Sequence, residues 1–132
     1  PVHRIFEACG ERFFRDAETA ALRHACGEPG RILACGGGTI LRPENRAVLA
    51  ARCVRVWLQV SPPEVLARLR QPDAPRRPLL EGKDLPALVT ALLREREPYY
   101  RASDLAVETD GRGVTDIARE ILRRLDLPER PV

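Results

Sequence analysis

Apolar residues recur along this chain at two spacings, one typical of helices and one typical of strands. Helical spacing, with apolar residues three and four positions apart, covers residues 2–25 and is interrupted near Gly10, which predicts two consecutive helices. Other helical segments follow proline and polar residues that favour a helix start. The pattern predicts them at residues 43–52, at residues 61–71 between the Ser61 cap and Pro72, at residues 85–94 with a continuation towards Tyr100, and at residues 114–125.

Three short apolar runs lie between these helices, at residues 31–35, 54–60 and 105–109. The second run alternates between apolar and polar positions and is rich in β-branched residues, as strands are. Strands that alternate with helices at these lengths form βαβ units around a parallel sheet. We therefore predict a single α/β domain over residues 1–132.

Composition narrows the class of protein. The chain has 132 residues, of which 44% are hydrophobic, enough for the core of one domain. Its 22 basic and 19 acidic residues are interspersed without a basic run, which argues against nucleic-acid binding. No apolar stretch reaches the length of a membrane span, and the amino end has no signal-peptide pattern. We expect a cytoplasmic protein that contacts neither nucleic acid nor membrane.

Four cysteines lie within the apolar pattern and show no C-x-x-C spacing. A zinc site or a disulfide framework needs closer or paired spacings. We therefore predict four reduced, buried thiols, namely Cys9, Cys26, Cys35 and Cys53.

Four elements of the sequence have candidate chemistry. The glycines at residues 36–38 follow an apolar run, so bare backbone would face a ligand at the carboxyl end of a strand. Arg15 and Glu18 lie three residues apart, so the carboxylate can hold the guanidinium on one helix face. Arg96 lies near a helix end, and Arg77 lies in a polar, proline-rich and arginine-rich segment, residues 71–83, that is a candidate mobile lid.

Each element has an ordinary explanation when taken alone. A glycine cluster is commonly a plain turn, and Arg15 with Glu18 would be a surface ion pair. Arg96 would cap a helix, and Arg77 would be a solvated side chain. Their order along the chain is what distinguishes them.

Taken together, the four elements resemble those of shikimate kinases over nearly the whole chain. The matching segments are Phe14-Arg15-Asp-Ala-Glu18, the glycine triplet, Arg77-Pro-Leu-Leu80 and Arg96-Glu-Pro-Tyr-Tyr100. The resemblance implies a three-layer, parallel-sheet α/β fold of the P-loop kinase type. It also implies transfer of the ATP γ-phosphoryl group to shikimate, giving shikimate 3-phosphate, with Mg²⁺.

The resemblance assigns a role to each matching residue. Arg15 and Arg96 would grip the shikimate carboxylate, Glu18 would support Arg15, and Gly36, Gly37 and Gly38 would pack against the hydroxylated ring. The catalytic lid arginine, which closes over the ATP phosphates, would be Arg77. The adenine contacts carry no firm motif, and the residues where the family approaches the base are Arg70, Arg112 and Gly113.

The sequence also departs from the family. It contains no G-x-x-x-x-G-K-[ST] P-loop and no Asp-x-Asp pair on a second strand, and Gly82-Lys83-Asp84 cannot replace the P-loop. We expect a chain that is incomplete at its amino end, lacks metal ligands, is inactive alone and is only marginally stable. We expect the complete kinase to be a monomer.

Two other functions stay open at this point. A gluconate-type kinase would also phosphorylate a small hydroxylated acid, although paired arginines favour a carboxylated ring. A chain that binds the acid or a partner protein without catalysis would explain the missing P-loop.

Overall fold

The computed structural model of the chain describes residues 2–71 and 84–128. These ranges contain five α-helices and two strands, at the positions that the apolar pattern predicted. A 3₁₀ turn at Thr39–Leu41 precedes α2. The elements are α1 (Val2–Ala25), α2 (Pro43–Arg52), β1 (Val56–Gln59), α3 (Pro62–Leu69), α4 (Leu85–Tyr100), β2 (Leu105–Glu108) and α5 (Val114–Arg124).

The two strands form a parallel sheet, which confirms the α/β fold class. The register pairs Val56 with Leu105 and Gln59 with Glu108, and the connection between the strands contains α3 and α4. The β2 side chains are central to the core, since Val107 is only 1% exposed. Alternation along β2 explains this burial, because every second side chain of a strand faces the same side of the sheet.

Pairs of residues join the two strands at both ends. At the amino ends, the Asp104 carboxylate accepts hydrogen bonds from the Arg55 backbone N (2.8 Å), Nε (3.0 Å) and Nη2 (2.9 Å). At the carboxyl ends, the Ser61 backbone N donates to the Asp110 carboxylate at 3.0 Å. These bonds fix the register of a sheet that has a single short ladder.

The strand predicted at residues 31–35 was wrong, because residues 31–36 have no regular secondary structure. Ile32 in this segment is 100% exposed. A strand needs the backbone groups of a neighbour for its hydrogen bonds, and the segment pairs with no strand in the described ranges. An apolar run reveals the tendency to form a strand but not the presence of its partner.

The helix boundaries follow the local signals in the sequence. Gly10 interrupts α1 with φ 77° and ψ 169°, a conformation that glycine adopts without strain. The Ser61 hydroxyl accepts a hydrogen bond from the Glu64 backbone N at 3.4 Å, and Pro62 starts α3 as predicted. The continuation of α4 to Tyr100, past Pro98, is also confirmed.

The cysteine prediction was correct in one respect and wrong in another. All four thiols are free, but Cys9 and Cys35 are exposed, and Cys26 and Cys53 are half-buried. Cys9 lies beside the Gly10 interruption, and Cys35 lies in the segment that forms no strand. No helix in the described ranges is both long and apolar enough to cross a bilayer.

Candidate functional site

The candidate site is built around the glycine triplet, residues 36–38. The triplet turns into the 3₁₀ segment, since the Gly36 carbonyl accepts a hydrogen bond from the Thr39 backbone N at 3.0 Å. The tight turn and the close approach of other side chains therefore occur at the same residues. This combines the two explanations that the sequence left open for the glycines.

Two arginines from different helices lie against successive glycines of the triplet. A Cβ atom at Gly37 would lie 2.7 Å from Nη1 of Arg96, and one at Gly38 would lie 2.5 Å from Nη2 of Arg15. Real Cβ contacts are not this short, so any side chain would displace the guanidinium groups. At Gly38 the φ of −89° and ψ of −13° suit any residue, so glycine serves there to leave space for the Arg15 guanidinium.

Arg15 is held in place by Glu18 on the same helix. Its Nη1 donates to Oε2 of Glu18 at 2.9 Å, and the two side chains are 14% and 16% exposed. Oε1 of Glu18 accepts a second hydrogen bond from the Thr39 hydroxyl at 2.8 Å. Because both carboxylate oxygens are occupied, the guanidinium of Arg15 is oriented before any ligand arrives.

Arg96 approaches the triplet from α4 without a comparable partner. Its Nε is buried and has no hydrogen-bond acceptor among the residues that the structure describes. A buried N–H without an acceptor costs about 1–3 kcal/mol, and more when the group is charged. Arg96 is therefore a cation in need of an anion.

Guanidinium groups give the site its positive character. Arg15 and Arg96 both lie against the glycines, and Arg15 pairs with Glu18 at 2.9 Å and approaches the exposed Glu11 at 3.5 Å. The site therefore suits an anionic ligand, such as a carboxylate.

An aromatic side chain closes the α4 side of the site. The Tyr100 hydroxyl lies 3.4 Å from the position of a Gly37 Cβ. Its ring stacks on Trp57 of β1, with centroids 5.7 Å apart and planes 18° apart. The stacking fixes the hydroxyl beside the triplet, where it can donate or accept a hydrogen bond.

The residues after the triplet are anchored to α2. Asn45 is fully buried, and its Nδ2 donates to the Thr39 carbonyl at 2.9 Å. The Arg46 Nη1 donates to the Ile40 and Leu41 carbonyls at 2.8 and 2.9 Å. These bonds hold the turn rigid and so hold the glycines against the arginines.

The structure therefore brings together the residues predicted to bind the acid, with Glu18 as the predicted support of Arg15: Arg15, Gly36, Gly37, Gly38 and Arg96. Thr39, Tyr100 and Asn45 were not predicted as parts of the same site. Tyr100 belonged to a matching segment, but nothing in the sequence gave it a role. The contacts of Thr39 and Asn45 are tertiary, and no local pattern signals them.

The residues predicted to lie near adenine occupy a different part of the fold. Arg70 follows α3, while Arg112 and Gly113 lie in the turn between β2 and α5. Arg68 connects these regions, since its Nη2 donates to the Thr109 carbonyl at 3.4 Å. The Arg112 guanidinium pairs with Glu120 at 2.7 Å and donates to the Glu108 carbonyl at 2.9 Å.

The described residues do not fit the phosphates of a nucleotide or a metal ion. They contain no cluster of three or more His, Cys, Asp or Glu residues suited to a metal. The sequence also has no P-loop motif to supply a backbone cradle. Arg77, predicted to reach the phosphates, lies outside the described residues.

Comparisons with known proteins identify relatives of this chain. The family model for shikimate kinase matches residues 1–126. The chain is 41% identical to a shikimate kinase from Moorella thermoacetica, over 95% of this chain and 70% of the relative. It is 40% identical to one from Cupriavidus pinatubonensis, over 93% of this chain and 64% of the relative. The chain thus spans about two thirds of the length of these relatives.

Solved structures agree with the sequence comparison. A shikimate kinase from Acinetobacter baumannii in complex with shikimate superposes with a TM-score of 0.86 and 32% identity, over 94% of this chain and 69% of that one. A shikimate kinase from Bacteroides thetaiotaomicron gives a TM-score of 0.84 at 25% identity, over 96% of this chain and 75% of that one.

Proposed function

Because this chain belongs to the shikimate kinase family, whose members phosphorylate shikimate with ATP and Mg²⁺, we propose that its arginine pair and glycine triplet bind shikimate as the phosphoryl acceptor. The carboxylate is held between Arg15 and Arg96, and the hydroxylated ring lies against the triplet. In this proposal the protein phosphorylates shikimate.

The placement of the Arg15 and Arg96 guanidinium groups against successive glycines carries this proposal. A carboxylate bound there accepts hydrogen bonds from both groups, and a hydrogen bond between charged groups is about twice as strong as a neutral one. Arg15 is already oriented by Glu18 at 2.9 Å, so little conformational freedom is lost when the acid binds.

The two guanidinium groups and the bare backbone favour a small ring acid. Guanidinium groups lie against successive glycines, so a ligand that carries a carboxylate can pair with both. The triplet contributes no side chains, so a ring can approach its peptide groups closely. The Tyr100 hydroxyl, beside Gly37, is suited to a ring hydroxyl.

Isothermal titration with three ligands tests the proposal. Shikimate should bind, its methyl ester should bind at least about tenfold more weakly because the charged acceptor is lost, and gluconate should also bind more weakly. Equal affinity for shikimate and its ester would contradict the carboxylate site. Tighter binding of gluconate would favour the gluconate-type kinase instead.

The chemistry at the phosphates is proposed from the family motif. We assign Arg77 to the transferred phosphoryl group, where a cation stabilises developing negative charge. We retain Arg70, Arg112 and Gly113 as the adenine side of the nucleotide site. Because Glu120 and the Glu108 carbonyl occupy Arg112, its contribution would be the flat face of the guanidinium, which stacks on aromatic rings.

A further inference from the structure

Two cysteines that are distant in sequence have their sulfur atoms in contact. Sγ of Cys26 lies 3.4 Å from Sγ of Cys53. Cys26 directly follows α1, and its backbone N donates to the Leu22 carbonyl at 2.9 Å. Cys53 directly follows α2, and its backbone N donates to the Leu49 carbonyl at 3.0 Å. We propose that Cys26 and Cys53 form a reversible disulfide when the protein meets a peroxide.

The geometry requires only a small movement of the two side chains. A disulfide has a sulfur–sulfur distance of about 2.05 Å, so the pair must close by about 1.4 Å from its contact distance of 3.4 Å. Rotation about the Cα–Cβ bonds moves each sulfur while the backbone hydrogen bonds at the helix ends remain in place. Both side chains are half-buried, so a small oxidant can reach them.

The reduced pair is stable until an oxidant arrives. Desolvation, together with the hydrogen bond to Cys53 and the nearby Cys53 and Cys35 thiols, raises the pKa of the Cys26 thiol to about 11. The nucleophile in thiol oxidation is the thiolate, so a neutral Cys26 reacts slowly by itself. Cys26 is therefore protonated at neutral pH, and all four cysteines are free in the structure.

Hydrogen peroxide supplies the two oxidising equivalents. The thiolate sulfur of one cysteine attacks a peroxide oxygen, the O–O bond breaks, and hydroxide leaves with the electron pair. The resulting sulfenic acid is attacked by the second sulfur, the S–O bond breaks, and the S–S bond forms. The two thiol protons and the released oxygens leave as two molecules of water. A dithiol reductant reverses the reaction by thiol–disulfide exchange.

Cys35 could compete as a disulfide partner. Trypsin places each of these three cysteines in a different peptide, so the possible disulfides can be distinguished. Cys35 is exposed and lies just before the glycine triplet, while Cys26 and Cys53 are in direct contact. Cleavage after arginine places Cys26 in the peptide of residues 24–31, Cys35 in that of residues 32–46 and Cys53 in that of residues 53–55. Each possible disulfide therefore gives a distinct pair of linked peptides.

The test treats the folded protein with hydrogen peroxide, alkylates the remaining thiols and identifies linked tryptic peptides by mass spectrometry. The proposal predicts a major link between residues 24–31 and 53–55, which disappears after reduction with dithiothreitol. The link should persist in Cys35→Ser, because that change leaves the contacting pair intact. A major link to residues 32–46, or overoxidised cysteines without any link, would overturn the proposal.

Discussion

The Thr39 hydroxyl donates a hydrogen bond to Glu18 at 2.8 Å, and this bond ties the end of the glycine triplet to α1. The other oxygen of Glu18 holds Arg15 at 2.9 Å. One carboxylate thus sets the position of the turn and of a guanidinium group relative to each other. A site for a small acid needs this relation, because its cation and its backbone face come from separate parts of the chain.

Removing the Thr39 hydroxyl should loosen this arrangement. Thr39→Val keeps the shape of the side chain but leaves an oxygen of Glu18 without its partner, at a cost of about 1 kcal/mol in the free energy of unfolding. Shikimate affinity should fall as Arg15 loses its fixed orientation. Urea denaturation and calorimetry measure the two effects. Thr39→Ser should restore both, and a Val variant indistinguishable from the wild type would contradict the role of this bond.

Two neighbouring glycines should differ sharply in their tolerance of alanine. Gly38→Ala places a methyl group 2.5 Å from the Arg15 guanidinium, so the arginine must move and shikimate affinity should fall by about tenfold or more. Gly36→Ala isolates the arginine contact, because its Cβ would lie 3.7 Å from Glu18, an ordinary contact, so only the approach of the ring is affected and the loss should be smaller. Titration of both variants with shikimate tests this, and equal affinities would count against the arrangement at the triplet.

Acidification should weaken the junction between Arg55 and Asp104. Hydrogen bonds from Arg55 hold the pKa of the Asp104 carboxyl well below its usual range. A depressed folded-state pKa stabilises the fold above the unfolded pKa of about 3.9, and this contribution is lost as the pH falls through the folded pKa.

Thermal unfolding as a function of pH checks this junction. The wild type should be more stable than Asp104→Asn at neutral pH, and the difference should shrink at strongly acidic pH. The stability difference between the wild type and Arg55→Ala should also shrink at acidic pH, because this variant lacks the ion pair as well. A difference that stays constant across the pH range would exclude the ion pair as its source.

Arg77 and Arg76 should differ in their effect on catalysis. If Arg77 contacts the phosphoryl group as charge develops, Arg77→Ala lowers kcat far more than it raises the KM for shikimate, by a factor on the order of 10³. Arg76→Ala should retain most activity, since the family motif does not include it. Steady-state kinetics in a form of the protein that phosphorylates shikimate measure both. Equal losses in kcat for the two variants would contradict the specific role of Arg77, because the segment would then contribute only its general positive charge.

The sequence predicted the elements whose signals are local. Helix caps such as Ser61 and the Gly10 interruption are set by neighbouring residues. Alternation identified the strand at residues 54–60, and a short apolar run identified the one at residues 105–109. Local signals could not show whether residues 31–35 form a strand, because strand pairing depends on a distant partner. The prediction that Cys35 is buried was wrong for the same reason, since it assumed that this strand formed.

The charged residues of the candidate site could be predicted from the sequence, but the residues that hold them in position could not. The spacing of Arg15 and Glu18 indicated an ion pair, and the family motif added Arg96 and the glycines. Thr39 and Tyr100 were not predicted because they act through contacts between separate elements. The unpaired state of the Arg96 Nε is a property of the folded chain and has no signature in the sequence.

The most direct measurement compares shikimate binding and thermal stability in Arg96→Ala and in the control Arg101→Ala. Arg101 lies just beyond α4, is 71% exposed and pairs with Glu97, so its removal should leave shikimate affinity unchanged. Arg96→Ala should weaken shikimate binding by about 1.5–3 kcal/mol, roughly tenfold or more, through loss of a charged hydrogen bond. Because it also removes a buried N–H without a partner, its thermal midpoint without ligand should not fall. Unchanged shikimate affinity in Arg96→Ala, within twofold of the control, would contradict the proposed carboxylate site.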